Sequence, residues 1–130
     1  MMMLFRTALS GMLILAIAGA AKAAGDGQTL FYENCSVCHQ VNGEGLPPHY
    51  YPRLSGDAFL LGDDDMLVLL LMKGRDGMPN LGRSLSDDQL AKILTYARSS
   101  WGNAAPPISP EKIAELRKTV PVEGPMMVGN

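Results

Sequence analysis

Apolar residues recur at helical spacing in four stretches of the chain, and polar segments rich in Gly and Pro separate them. Asp26 stands where it can cap a first helix running through Leu30, Phe31 and Tyr32 into Cys35. Gly27, Phe31 and Cys35 fall four apart, on one face. The stretch from Gln40 to Gly62 holds four Gly and three Pro and reads as loop. Asp63, Asp64 and Asp65 then open a strongly apolar helix over Met66 to Met72. The acids suit its positive end, and Lys73 with Gly74 suits its close. Arg75 to Leu85 forms a second loop. Ser86, followed three residues later by Gln89, is a capping box that starts a helix to about Trp101, with Gly102 as its stop. After the linker Ala105-Pro106-Pro107, Ser109-Pro110-Glu111 starts a last short helix whose apolar stripe is Ile113, Leu116 and Val120. No segment alternates with period two over a useful length, and no internal repeat is visible. The pattern predicts an all-α protein.

The N-terminus differs from this pattern. Arg6 precedes an uncharged apolar run, Ala8 to Ala21. Ala21-Lys22-Ala23 then offers the small residues read at a processing site. Residues 1–23 read as a secretory signal peptide. The run is shorter than the ~20 residues a membrane span needs, so no stable span is expected, and the mature protein is expected in the periplasm. What remains divides into a main domain over 24–102 and a C-terminal extension with a short helix over 103–130. The 11 basic residues of the full chain become 9 after removal of Arg6 and Lys22, against 13 acids. A chain of this charge is a poor nucleic-acid binder.

Chemistry concentrates in Cys35-Ser36-Val37-Cys38-His39. Two thiols three apart on a helical turn face the same way, and each can add to one vinyl group of a porphyrin. The next residue, His39, can then supply its imidazole to the iron. A redox dithiol would need a strand leading into the motif, and none precedes it. A zinc site would need four ligands, and Cys35, Cys38, His39 and His49 are the whole supply of Cys and His. The motif therefore reads as attachment of one haem c. His49 is a surface histidine by position, its closeness to His39 making it an awkward second ligand.

A second iron ligand must come from elsewhere. Met66 and Met72 lie in the apolar helix as core residues, and Met126 and Met127 in a tail containing Gly and Pro. Met78 sits in the polar loop Gly74-Arg75-Asp76-Gly77-Met78-Pro79-Asn80, where it has no helix face to occupy. It reads either as a partly buried loop residue or as a thioether ligand. The ligand reading gives a His/Met iron, which raises the reduction potential and favours electron transfer.

Cys35-x-x-Cys38-His39, Gly43-x-Gly45-x-Pro47, Gly77-Met78-Pro79 and the closing helix with Ile93-x-x-Tyr96 together resemble the class I c-type cytochromes over roughly Gly25 to Gly102. The resemblance implies a helical fold wrapped around one covalent haem, with His39 and Met78 as axial ligands. It places Gly27 and Phe31 against Ile93 and Tyr96 where the first and last helices of the domain cross. It implies that the Pro47 carbonyl accepts a hydrogen bond from the free ring nitrogen of His39, and that Tyr51 and Arg53 lie where they can meet the haem propionates. Trp101 is expected to anchor the last segment. The tail from Leu94 to Ile113 resembles periplasmic cytochromes that take electrons from bacterial dehydrogenases.

These readings lead to an expected function as a one-electron carrier that does no bond chemistry. Its partners would be a periplasmic dehydrogenase and a terminal oxidase or other cytochrome. Two alternatives stay open. One is a permanently docked haem c subunit of a dehydrogenase or oxidase complex. The other is an open-site haem enzyme or gas sensor.

Overall fold

The computed structural model describes residues 26–46, 50–75 and 77–120. The expected signal peptide, Pro47, His49, Met126 and Met127 lie outside them. Helix α1 covers residues 26–34 and α2 covers Ser36–His39. They are followed by α3, Asp64–Lys73, a single 3-10 turn at Leu81–Arg83, α4, Asp87–Ser99, and α5, Pro110–Thr119. Among the described residues no β-strand forms. Two isolated bridges, Leu46 with Tyr51 and Arg75 with Met78, pinch the loops that flank α3. The fold is all-α.

Local chemistry sets the helix ends. The Asp63 carboxylate accepts from Met66 N at 2.8 Å and starts α3. At α4 both halves of the capping box form, Gln89 N to Ser86 Oγ at 3.2 Å and Ser86 N to Gln89 Oε1 at 2.9 Å. Ser109 caps α5, and Pro110 stands in its first turn, where its missing N–H has no consequence. Asp26 does not act as a cap. It is already helical, and its carboxylate lies 3.6 Å from Lys92 Nζ of α4.

Gly27 makes the α1–α4 crossing possible. A Cβ there would come within 2.5 Å of the Lys92 carbonyl oxygen and 3.0 Å of Tyr96 Cβ. With only hydrogens in that place the backbones approach, and Phe31, 1% exposed, is buried one turn further along. Its ring centroid lies 5.6 Å from Tyr96 and 5.1 Å from Trp101. The core continues through Leu67, Val68, Leu71 and Met72 of α3 and Leu90, Ile93, Leu94 and Ala97 of α4. It takes in Ile108 and Ile113 beyond α4 as well.

The end of α4 differs from expectation. The helix stops at Ser99, and Trp101 takes a left-handed backbone, φ 54, followed by Gly102 at φ 83. A bulky residue is strained there by about 1–3 kcal/mol. Two contacts hold it: Trp101 Nε1 donates to Val41 O at 3.2 Å, and its ring lies flat on Gly43, where a Cβ would meet the ring carbons at 2.5–2.8 Å. Trp101 thus anchors the loop after His39. The left-handed pair also turns the chain so that Ala105 N reaches Arg98 O at 2.9 Å, supplying a donor to a helix-end carbonyl.

Candidate haem-binding site

Cys35 continues the hydrogen bonding of α1, its N–H reaching Phe31 O at 2.8 Å. The N–H groups of Cys38 and His39 both point back to Cys35 O, at 3.2 and 2.9 Å. This turn brings Cys38 close enough to act on the Cys35 thiol and presents His39 at its end. Both cysteines are free thiols and partly buried. Burial pushes the Cys35 thiol up to about 12, with the neighbouring Cys38 adding to the effect. A thiol that stays protonated at neutral pH is a poor redox dithiol. Among the described residues no cluster of three or more His, Cys, Asp or Glu is placed to hold a metal ion by itself.

The imidazole of His39 is oriented from behind. Its Nδ1 lies 2.9 Å from the Pro52 carbonyl oxygen. A carbonyl only accepts, so Nδ1 carries a hydrogen, and in the uncharged ring Nε2 then holds the lone pair. That is the donor a haem iron takes, and its place directly after Cys35 and Cys38 fits covalent haem c. The carbonyl comes from Pro52, where Pro47 was expected. Pro47 lies outside the described residues, and Pro52 directly follows Tyr51, which pairs with Leu46.

The loop that carries Pro52 is braced from the C-terminal side. Leu54 N and Ser55 N both donate to Gly43 O, at 2.7 and 3.1 Å. Asn103, 7% exposed, completes the brace. Its Nδ2 donates to Leu54 O at 3.1 Å and Ala97 O at 2.8 Å, and its Oδ1 accepts from Gly56 N at 2.8 Å. Asn103 was not among the expected site residues. Its only sequence signal is an Asn just after the stop of a helix, a pattern shared with ordinary turns.

Tyr51 is brought to the attachment turn. Its phenol is raised above its ordinary value, first by the charge of Cys38, then by desolvation and a hydrogen bond to the same sulfur. Arg53 is exposed and engaged elsewhere, its Nε donating to Glu44 Oε2 at 2.8 Å. Met78 belongs to the separate loop after α3. Gly74 closes that helix at φ 70, its N–H reaching Leu70 O at 2.7 Å. Arg75 and Met78 then exchange backbone bonds of 3.2 and 2.8 Å across a tight turn. The Met78 side chain is partly buried against the core.

Residues 22–96 match the family model described as cytochrome c oxidase, cbb3-type, subunit III. The chain belongs to this family of class I c-type cytochromes. The family carries covalently bound haem c with iron, and its chemistry is electron transfer. Among similar proteins, cytochrome c-552 of Thermus thermophilus is 29% identical, the match covering 82% of this chain and 84% of that protein. The fructose dehydrogenase cytochrome subunit of Gluconobacter japonicus is 31% identical over 75% of this chain and 24% of its own length. The cytochrome c subunit of the quinone alcohol dehydrogenase of Gluconobacter oxydans is 27% identical, over 72% and 22%. This cytochrome therefore spans most of the length of the first relative and about a quarter of the dehydrogenase subunits. No helix among its described residues is long and apolar enough to cross a membrane.

Proposed function

We propose that this cytochrome is a periplasmic one-electron carrier with a His39/Met78 iron, and not an enzyme. Haem c, when bound, supplies the Fe(III)/Fe(II) couple. Cys35 and Cys38 hold it through thioether bonds, and the Pro52 carbonyl fixes the tautomer and orientation of His39, strengthening the ligand. Met78 would supply a thioether as the second iron ligand, which would hold the potential high and disfavour oxygen or peroxide chemistry. Tyr51 lines the attachment side. Arg53 reaches a propionate only by leaving Glu44. The reading is supported foremost by the His39 Nδ1 bond to Pro52, which orients the ring and leaves Nε2 for a ligand role. The signal-peptide reading of residues 1–23 supports export, because haem c is attached outside the cytoplasm.

The expected electron donor is a periplasmic dehydrogenase and the acceptor a terminal oxidase or another cytochrome. A second reading, a subunit docked permanently in a dehydrogenase, is favoured by the similarity to dehydrogenase cytochrome subunits. Size-exclusion chromatography of a native extract separates the two, since a free carrier without residues 1–23 elutes below the 14.0 kDa of the full chain.

The ligand set is tested by optical spectroscopy of the exported protein. A low-spin reduced spectrum unmoved by carbon monoxide, with a sulfur-to-iron charge-transfer band when oxidised, is the expected outcome. A high-spin spectrum that shifts with carbon monoxide would replace the carrier with the open-site enzyme or sensor. Met78→Ala is expected to lower the potential and admit carbon monoxide. An unchanged potential would remove Met78 as a ligand.

A further inference from the structure

Arg117, on α5, sits far in sequence from both haem loops, yet its guanidinium is spent almost wholly on the segment that follows Met78. Nε donates to Asp87 Oδ1 at 2.7 Å, Nη2 donates to Leu85 O at 3.1 Å, and Nη1 donates to Gly82 O. One planar fork thus ties the 3-10 turn, the residue before the α4 cap and the first residue of α4. Both groups of the ion pair are about one-third exposed, 28% for Arg117 and 32% for Asp87. Gly82 in turn lies against α3, where a Cβ would come within 3.0 Å of Met72 Cα.

These contacts define a short span. Its first end is Gly74, held by the close of α3. Its other end is Gly82, held by Arg117 and Met72. Met78 lies between them, followed at once by Pro79, whose ring restricts the backbone. A Met78 side chain serving as iron ligand leaves more easily when the loop gains freedom at one of its ends, since its Arg75–Met78 bridge restrains it only locally. The first end is covalently continuous with a buried helix. The other depends on hydrogen bonds from a side chain on α5. A charge-assisted hydrogen bond to a backbone carbonyl is among the stronger local restraints available.

We propose that Arg117 is a positioning residue for Met78, setting how readily the thioether leaves the iron. The proposal rests on the reading of Met78 as the second axial ligand. The probe is imidazole, which competes for the iron of the oxidised holoprotein and is followed by loss of the sulfur-to-iron band. Arg117→Ala is expected to bind imidazole about tenfold more tightly than wild type, the equivalent of one charge-assisted hydrogen bond lost. Covalent haem content should stay unchanged. Arg117→Lys, which keeps the charge but not the fork, should fall between the two.

Gly27→Ala serves as the control for general loosening, because it strains the α1–α4 crossing and touches neither the Met78 loop nor α5. It is expected to lower the unfolding midpoint and leave imidazole affinity near wild type. If Arg117→Ala binds imidazole no more tightly than Gly27→Ala, the proposal is overturned while the ligand reading stands. If the wild-type protein has no sulfur-to-iron band, or Met78→Ala retains it, both are overturned. Should Arg117→Ala fail to accumulate, Asp87→Asn removes the charge of one acceptor, leaves the Ser86–Gln89 capping box in place, and is read in the same way.

Discussion

One buried residue, Asn103, supports the loop that follows His39. Asn103 satisfies Leu54 O, Ala97 O and Gly56 N at once. Asn103→Leu keeps the approximate volume and leaves these groups without their partner, each unmet buried group costing about 1–3 kcal/mol. Denaturant unfolding of the holoprotein should show a loss of at least that size, and a loss below about 0.5 kcal/mol, the usual scale of surface substitutions, would mean that water replaces the amide fully. The cysteines and His39 were legible in the sequence because covalent chemistry demands their spacing. The carbonyl behind His39 was not. A backbone acceptor carries no side-chain signature, and with Pro47, Pro48 and Pro52 all in one loop only the three-dimensional path selects among them. Asn103 was hidden for a similar reason, since its partners are carbonyls and an amide far along the chain.

At the scale of helices, starts were easier to read than crossings. Caps at Asp63, Ser86 and Ser109 are local and follow from neighbouring residues. The Gly27 crossing was reached through family resemblance; the structure keeps Tyr96 beside Gly27 and adds the Lys92 carbonyl as the nearest neighbour. Gly27→Ala adds overpacking of about 1–3 kcal/mol, against a gain in helix propensity of about 1 kcal/mol. A rise in the unfolding midpoint would show that the helices part at no cost. Arg98 was not legible at all. It is buried in α4 and pairs with Asp64 at the start of α3, Nη1 to Oδ1 at 2.7 Å. A charge inside an apolar face looks like a surface residue until the facing helix is placed. Asp64→Asn leaves that guanidinium buried with a weaker partner. The expected cost is about 1–3 kcal/mol, smaller than for a fully buried pair because Asp64 itself is 41% exposed. The cost should persist in high salt, since a buried cation is poorly screened. A loss that vanishes at 1 M salt would assign the pair to the surface.

For the molecule as a whole, the informative boundary is the one between 24–102 and the extension from residue 103. Composition suggests it, because Ala105-Pro106-Pro107 reads as a linker. Packing crosses it. Ile108 is 3% exposed and Ile113 0%, and both join the cluster that contains Phe31 and Leu90. Thr95 Oγ1 accepts from Ile108 N at 3.2 Å, and Lys112 pairs with Asp65 while Arg117 pairs with Asp87. So α5 leans on both α3 and α4, completing the side of the core away from the α1 crossing. A chain stopped after Ala105 keeps the Asn103 brace and the whole haem motif but loses these contacts. Covalent haem should still be attached, because Cys35, Cys38 and His39 are untouched. Stability should fall by roughly 3–6 kcal/mol, the burial of two isoleucines at about 1.5–3 kcal/mol each. The slope of unfolding free energy with denaturant should fall as well, because less surface is exposed on unfolding. Equal midpoints and slopes for the shortened and full chains would make α5 an appendage resting on a complete core. The expected result would make it the fourth wall of a small domain that, without it, has too little apolar surface to close around its haem.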